Sequence, residues 1–141
     1  MIDLKETERL KKELAENPEN YAAIIENTHV GICITDENAN FFDVNTNYAR
    51  MYGYDKSEMI GQSFLMVVPT SQKTHLKELH DLFMRMKDEI MRNWEVQRKN
   101  GETIKIFADA GYTSQLGGSP KKVTFVWPRD QSYQRLMQGK S

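Results

Sequence analysis

The chain has 141 residues, with 19 Lys and Arg against 20 Asp and Glu for a formal net charge of −1, and a single cysteine, Cys33. That length suits one domain with its own core, the balanced charge offers no field to gather nucleic acid or an anionic membrane, and one cysteine rules out an internal disulfide or a multi-cysteine metal centre. No apolar run approaches the ~20 residues of a membrane-crossing helix, and the N-terminus lacks the apolar core of a signal peptide, so a soluble cytoplasmic protein is expected.

Residues 2–16, IDLKETERLKKELAE, are rich in Glu, Lys and Leu, with Leu10 and Leu14 one turn apart, and read as an amphipathic helix that Asn17-Pro18 breaks. Its apolar positions are too few for it to stand alone, so the stripe packs on this domain or on a second copy. A solvated linker helix is the competing account.

Residues 31–35 (GICIT) and 41–45 (FFDVN) flank the turn-forming DENAN and predict a hairpin, with Ile32, Ile34, Phe42 and Val44 facing inward. Asn45 is placed to cap a following helix. Asp55 with Glu58 reads as a capping box, its helix stopped by Gly61. Over residues 71–92 the apolar residues Leu76, Leu79, Phe83, Met86 and Ile90 recur at spacings of 3 and 4, which predicts one long amphipathic helix. Asp88 and Glu89 fall on its solvated side. Three strands follow, at residues 93–99, 102–114 and 121–127, separated by the Asn100-Gly101 turn and by Gly117-Gly118 with Pro120. The sum is an α+β fold: a five-stranded antiparallel sheet with short helices and one long helix on one face, plus an N-terminal helix.

The order of Asn45, Gly53-Tyr54, Glu58, Gly61, the Asn100-Gly101 turn and Arg129-Asp130 resembles a PAS domain, a sensory module, from about Tyr21 to Arg135. On that basis residues 1–18 are an N-terminal helix, 19–135 the PAS domain and 136–141 a tail. The resemblance implies that the helices enclose a small cavity against the sheet. A ligand pocket there would be lined by Ile34, Val44, Tyr48, Tyr52, Leu79, Phe83, Trp94, Ile106 and Phe125. Ala108 and Ala110 leave room on the inner face of the central strand, either for a cavity or for the close approach of a helix.

Hydrolytic and transfer chemistry have no support, because the chain contains no nucleophile elbow, phosphate-binding loop or zincin helix; no catalytic residue is assigned and an enzyme is not expected. For cofactors, the resemblance raises haem and flavin. Haem-binding members take their axial ligand from the long helix, where His75 and His80 lie about 60° and 80° from the centre of the apolar stripe. His75 is nearer the family's register and is the candidate haem ligand; an ordinary helical histidine is the competing account. Trp94 would stack on a flavin, or else simply pack against the long helix. Flavin members that form a thiol adduct carry their cysteine just before the long helix, whereas GQSFLMVVP at residues 61–69 has none. Cys33, within a strand, reads as a small buried hydrophobe, so no thiol-adduct chromophore is expected.

At the output end, Asp130 and Ser132 match in type the junction that couples the last strand of such domains to an outgoing helix, while Gln131 departs from it. The resemblance thus implies a signal-transduction module that binds a small ligand between sheet and long helix and relays the change to terminal helices or to a homodimer partner. Its effector would be a histidine kinase, a cyclic-dinucleotide enzyme or a transcription regulator. The alternative is a ligand-free module for protein–protein interaction and homodimerisation.

Overall fold

The structure is a computed structural model, which describes residues 4–87 and 90–128. Asp130 and Ser132, the expected relay pair, and Asp88 and Glu89 lie outside the described residues. Five strands, β1 (Gly31–Asp36), β2 (Phe41–Val44), β3 (Ile90–Gln97), β4 (Thr103–Thr113) and β5 (Lys121–Pro128), form one sheet in the order β2-β1-β5-β4-β3. Every pairing is antiparallel, as the hairpin signals require.

Local chemistry sets each helix on one face. Asn45 caps α3 (Thr46–Tyr52) by accepting from the Tyr48 N–H at 2.9 Å. The helix ends at Gly53 in the left-handed conformation, φ 80°, which a residue with a side chain rarely adopts. The Asp55–Glu58 capping box starts the single turn α4 (Lys56–Met59). The long helix α5 (Lys73–Met86) crosses the same face.

The expected reach of α5 to residue 92 is corrected by the sheet. Ile90 begins β3 and pairs with Ala110, so the 8-residue β3 ladder takes up sequence that the helical spacing had claimed. Lys87, with φ 62°, ends the helix by donating its N–H to the Phe83 carbonyl at 2.7 Å. Met86, counted in the apolar stripe, is instead 60% exposed.

The other face of the sheet is covered by the N-terminal helix α1 (Leu4–Glu16), with the short α2 (Tyr21–Glu26) behind it. Leu10 and Leu14 are buried there with Ile25, Val30, Ile32, Ile34, Leu116, Val123, Phe125 and Trp127. The helix therefore packs on this chain and is neither a solvated linker nor dependent on a second copy for its apolar stripe. Lys11 ties it down through an ion pair with Asp109 of β4, Nζ to Oδ2 at 3.1 Å, with both side chains largely buried.

A sheet buried on both faces changes what its alternating strands mean. Ile32 and Ile34 do face a core, but it is the one under α1, while Cys33 and Thr35 face the helical side. In β2 the register jumps from Asp43 opposite Ile34 to Phe41 opposite Thr35, which leaves Phe42 unpaired as a bulge. Val44 and Phe41 consequently point to the helical side, and Phe42 turns to the α1 side against Tyr21, with ring centroids 5.7 Å apart. The expectation that Phe42 and Val44 share a face fails because of that single extra residue.

Candidate functional site

Between the sheet and α5 lies a cavity of about 90 Å³. On its floor, β4 contributes Ile106, Ala108 and Ala110, alternate residues of one face, and β3 contributes Trp94 and Val96. The two alanines hold the strand surface back from the helices, so the room they predicted is present as a cavity. Tyr48 and Tyr52 enter from α3 and stack obliquely with centroids 4.6 Å apart. Phe64, Val67 and Val68 close one side, and Leu76, Leu79 and His80 of α5 form the roof. β1 and β5 supply the polar wall: Cys33, Thr35, Lys122 and Thr124, with Val126 beside them.

Of the residues expected to line the pocket, Tyr48, Tyr52, Leu79, Trp94 and Ile106 do so. Val44 is buried among their neighbours without reaching the cavity wall. Phe83 is buried off to one side, its ring centroid 5.0 Å from Lys122 Nζ. Ile34 and Phe125 lie on the opposite face, against α1. Their exclusion follows from the doubly covered sheet. In β5 the apolar set Val123, Phe125 and Trp127 packs under α1, and the mixed set Lys122, Thr124 and Val126 faces the cavity. Choosing the more apolar alternation as the cavity side therefore picked the wrong face in both β1 and β5.

His75 is exposed on α5 and does not line the cavity. The histidine inside is His80, 1% exposed, with Nε2 3.0 Å from the Asp36 carbonyl oxygen and its ring 5.6 Å from that of Phe64. Met86 and Ile90 had drawn the apparent centre of the stripe away from it; without them the buried face runs through Leu76, His80 and Phe83. A carbonyl only accepts, so the neutral ring carries its proton on Nε2. Burial, reinforced by the positive charge of Lys122, pushes the imidazole down to about 4, against the opposing hydrogen bond to Asp36.

Haem and flavin do not fit. The cavity falls far short of the ~300 Å³ at which drug-sized sites begin. His75 points away from it, and His80 is committed to a backbone carbonyl. Among the described residues no group of three or more His, Cys, Asp or Glu could hold a metal ion. Cys33 is fully enclosed; burial pushes its thiol up to about 11, with contacts to Tyr48, Lys122 and Thr124 only partly offsetting this. A thiol held protonated is a packing group and not a nucleophile. Burial also raises the Tyr48 phenol well above its ordinary value, reinforced by the neighbouring Cys33 thiol and Tyr52 hydroxyl.

The geometry is that of a small, mixed apolar and polar chamber, and solved structures share its frame. The chain is similar to the PAS domain of an HTR-like protein from Haloarcula marismortui, at 20% identity over 86% of this chain and 98% of that one, with a TM-score of 0.67. A domain of a sensory box sensor histidine kinase/response regulator from Geobacter sulfurreducens matches at 20% identity over 83% and 96%, TM-score 0.64. A PAS domain in complex with ethanol, from a LuxR-family transcriptional regulator of Burkholderia thailandensis, matches at 14% identity over 77% and 96%, TM-score 0.62. No curated protein sequence matches the chain. The model of the PAS fold matches residues 19–127, most of the length, and the chain belongs to the PAS family.

Proposed function

We propose that this protein is a sensory input module that binds a small molecule between the sheet and α5 and passes the change to its terminal helices or to a dimer partner. The observation that carries this reading is the cavity itself: Ala108 and Ala110 keep open a space among large aromatic side chains that ordinary core packing would fill. The size of the space calls for a ligand of a few atoms, and the ethanol complex of the Burkholderia thailandensis domain supports that scale.

The route outward begins on β4. Ala108 and Ala110 face the cavity, and Asp109 between them holds Lys11 of α1 on the other side of the sheet. A ligand that shifts β4 acts on α1 through that buried pair, a local packing change with a distant readout. On this reading Asp130 and Ser132 continue the relay at the C-terminal end, and the effector is a histidine kinase, a cyclic-dinucleotide enzyme or a transcription regulator. The module itself performs no catalysis and works in the cytoplasm; among the described residues no helix is long and apolar enough to cross a membrane.

The competing reading, a ligand-free homodimerisation module, draws on Leu82 and Met86, one turn apart on α5 and 44% and 60% exposed. Titrating the isotopically labelled chain with small alcohols and acids, followed by amide NMR, separates the two. Saturable shifts centred on β1, β4, β5 and α5 are expected for a sensor. No shifts with any compound, together with a dimer in sedimentation, would establish the interaction module instead.

A further inference from the structure

Two polar side chains stand on the cavity wall, Thr35 buried and Lys122 half-buried. Thr35 is 3% exposed, and its Oγ1 has no hydrogen-bond partner among the described residues; a valine of the same shape would carry no such cost. Lys122 stands directly opposite Thr35 in the antiparallel register, so both side chains leave the same face of the sheet. Among the described residues no carboxylate lies within ion-pair distance of it. Burial lowers its pKa. Lys122 is half-buried, with its Nζ 5.0 Å from the Phe83 ring centroid; its cavity neighbours His80 and Cys33 are neutral at pH 7, so among the described residues no negative charge on that wall balances the ammonium.

We infer that the ligand is a small aliphatic monocarboxylate, its anionic end held by the Lys122 ammonium and the Thr35 hydroxyl and its alkyl end lying against Trp94, Val96 and Ile106. This rests on the sensory reading and names its ligand class. Water would satisfy Thr35 but leave the lysine without a counter-charge. A phosphate would bring a second charge and more oxygens than one cation and one hydroxyl can serve, with the remaining walls apolar. The volume of about 90 Å³, three times the ~30 Å³ of a water in the liquid, suits roughly four to six non-hydrogen atoms.

Butyrate and its neutral isostere butyramide, titrated by amide NMR into the full chain, test the assignment. Butyrate is expected to bind roughly 10- to 100-fold more tightly, with the largest shifts at Thr35 and Lys122. Lys122→Met should erase that preference, and Thr35→Val should weaken both compounds, because each offers the hydroxyl an acceptor oxygen. Thr35→Val should melt at or above the parent temperature, because it removes a buried hydroxyl without a partner. Equal binding of the two compounds, with no effect of Lys122→Met, would overturn the carboxylate and leave the sensory reading standing. Failure of both to enter the cavity would overturn the monocarboxylate assignment, while the sensory reading stands or falls on the wider titration. A lower melting temperature for Thr35→Val would show that the hydroxyl serves the fold, and would likewise overturn the assignment.

Discussion

Asn45 joins four backbone segments through one amide. Its Oδ1 accepts from the N–H groups of Ile32 and Tyr48, both at 2.9 Å, and its Nδ2 donates to the carbonyls of Ile25 and Val30 at 2.6 and 2.8 Å. Asn45→Ala strands all four groups at a site 1% exposed and should lower stability by about 3 kcal/mol, read from the urea midpoint. Asn45→Asp keeps both acceptor roles but sets a carboxylate against two carbonyls, so it should rescue little at pH 7. The cap was visible in sequence; the other three bonds were not, since they depend on where Ile25 and Val30 come to lie. His80 gives a pH-dependent counterpart. Its folded pKa of about 4 lies below the ordinary 6.5, so between those values the unfolded chain binds the extra proton. Stability is therefore complete above pH 6.5 and falls as pH drops toward 4, by about 3 kcal/mol across the window. His80→Gln, which retains a donor for the Asp36 carbonyl, should flatten the change in urea midpoint between pH 7.5 and 5.

At the scale of elements, α1 is held by two different kinds of contact that can be separated. Leu10, 0% exposed, contributes apolar burial, and Leu10→Ala should cost about 2–4 kcal/mol in a urea titration. Lys11→Met keeps the apolar stem but leaves the Asp109 carboxylate buried without its 3.1 Å partner; about 2 kcal/mol of destabilisation is expected, and Asp109→Asn added to it should recover most of that. The existence and order of the elements were legible because caps, turns and periodicity are local. The far end of α5 was not, because the choice between another helical turn and a β-ladder at Ile90 is made by Ala110, distant in sequence. The facing of β1 and β5 was hidden for a related reason: with both faces buried, apolar alternation identifies a strand without saying which core it serves. Phe42 adds a third kind of concealment, since a bulge shifts the facing of every residue on one side of it.

The whole molecule has one sheet with a core on each face, and the core under α5 holds the cavity lined by Tyr48, Tyr52 and Trp94. At about 24 cal/mol per Å³, filling a space of 90 Å³ with well-packed apolar groups would be worth about 2 kcal/mol. A ligand at a hundred times its dissociation constant adds about 2.7 kcal/mol, so occupancy is comparable in weight to repacking the space. Ala108→Val places two methyl groups in that space from a strand position that favours β-branched residues. The variant should gain about 1 kcal/mol and melt about 2–5 °C higher. It should also lose the rise in melting temperature that cavity ligands give the parent protein, because the same volume cannot be occupied twice. Differential scanning calorimetry with and without butyrate reads both effects. A variant that is more stable yet still stabilised by ligand would place the binding site somewhere other than the space beneath α5.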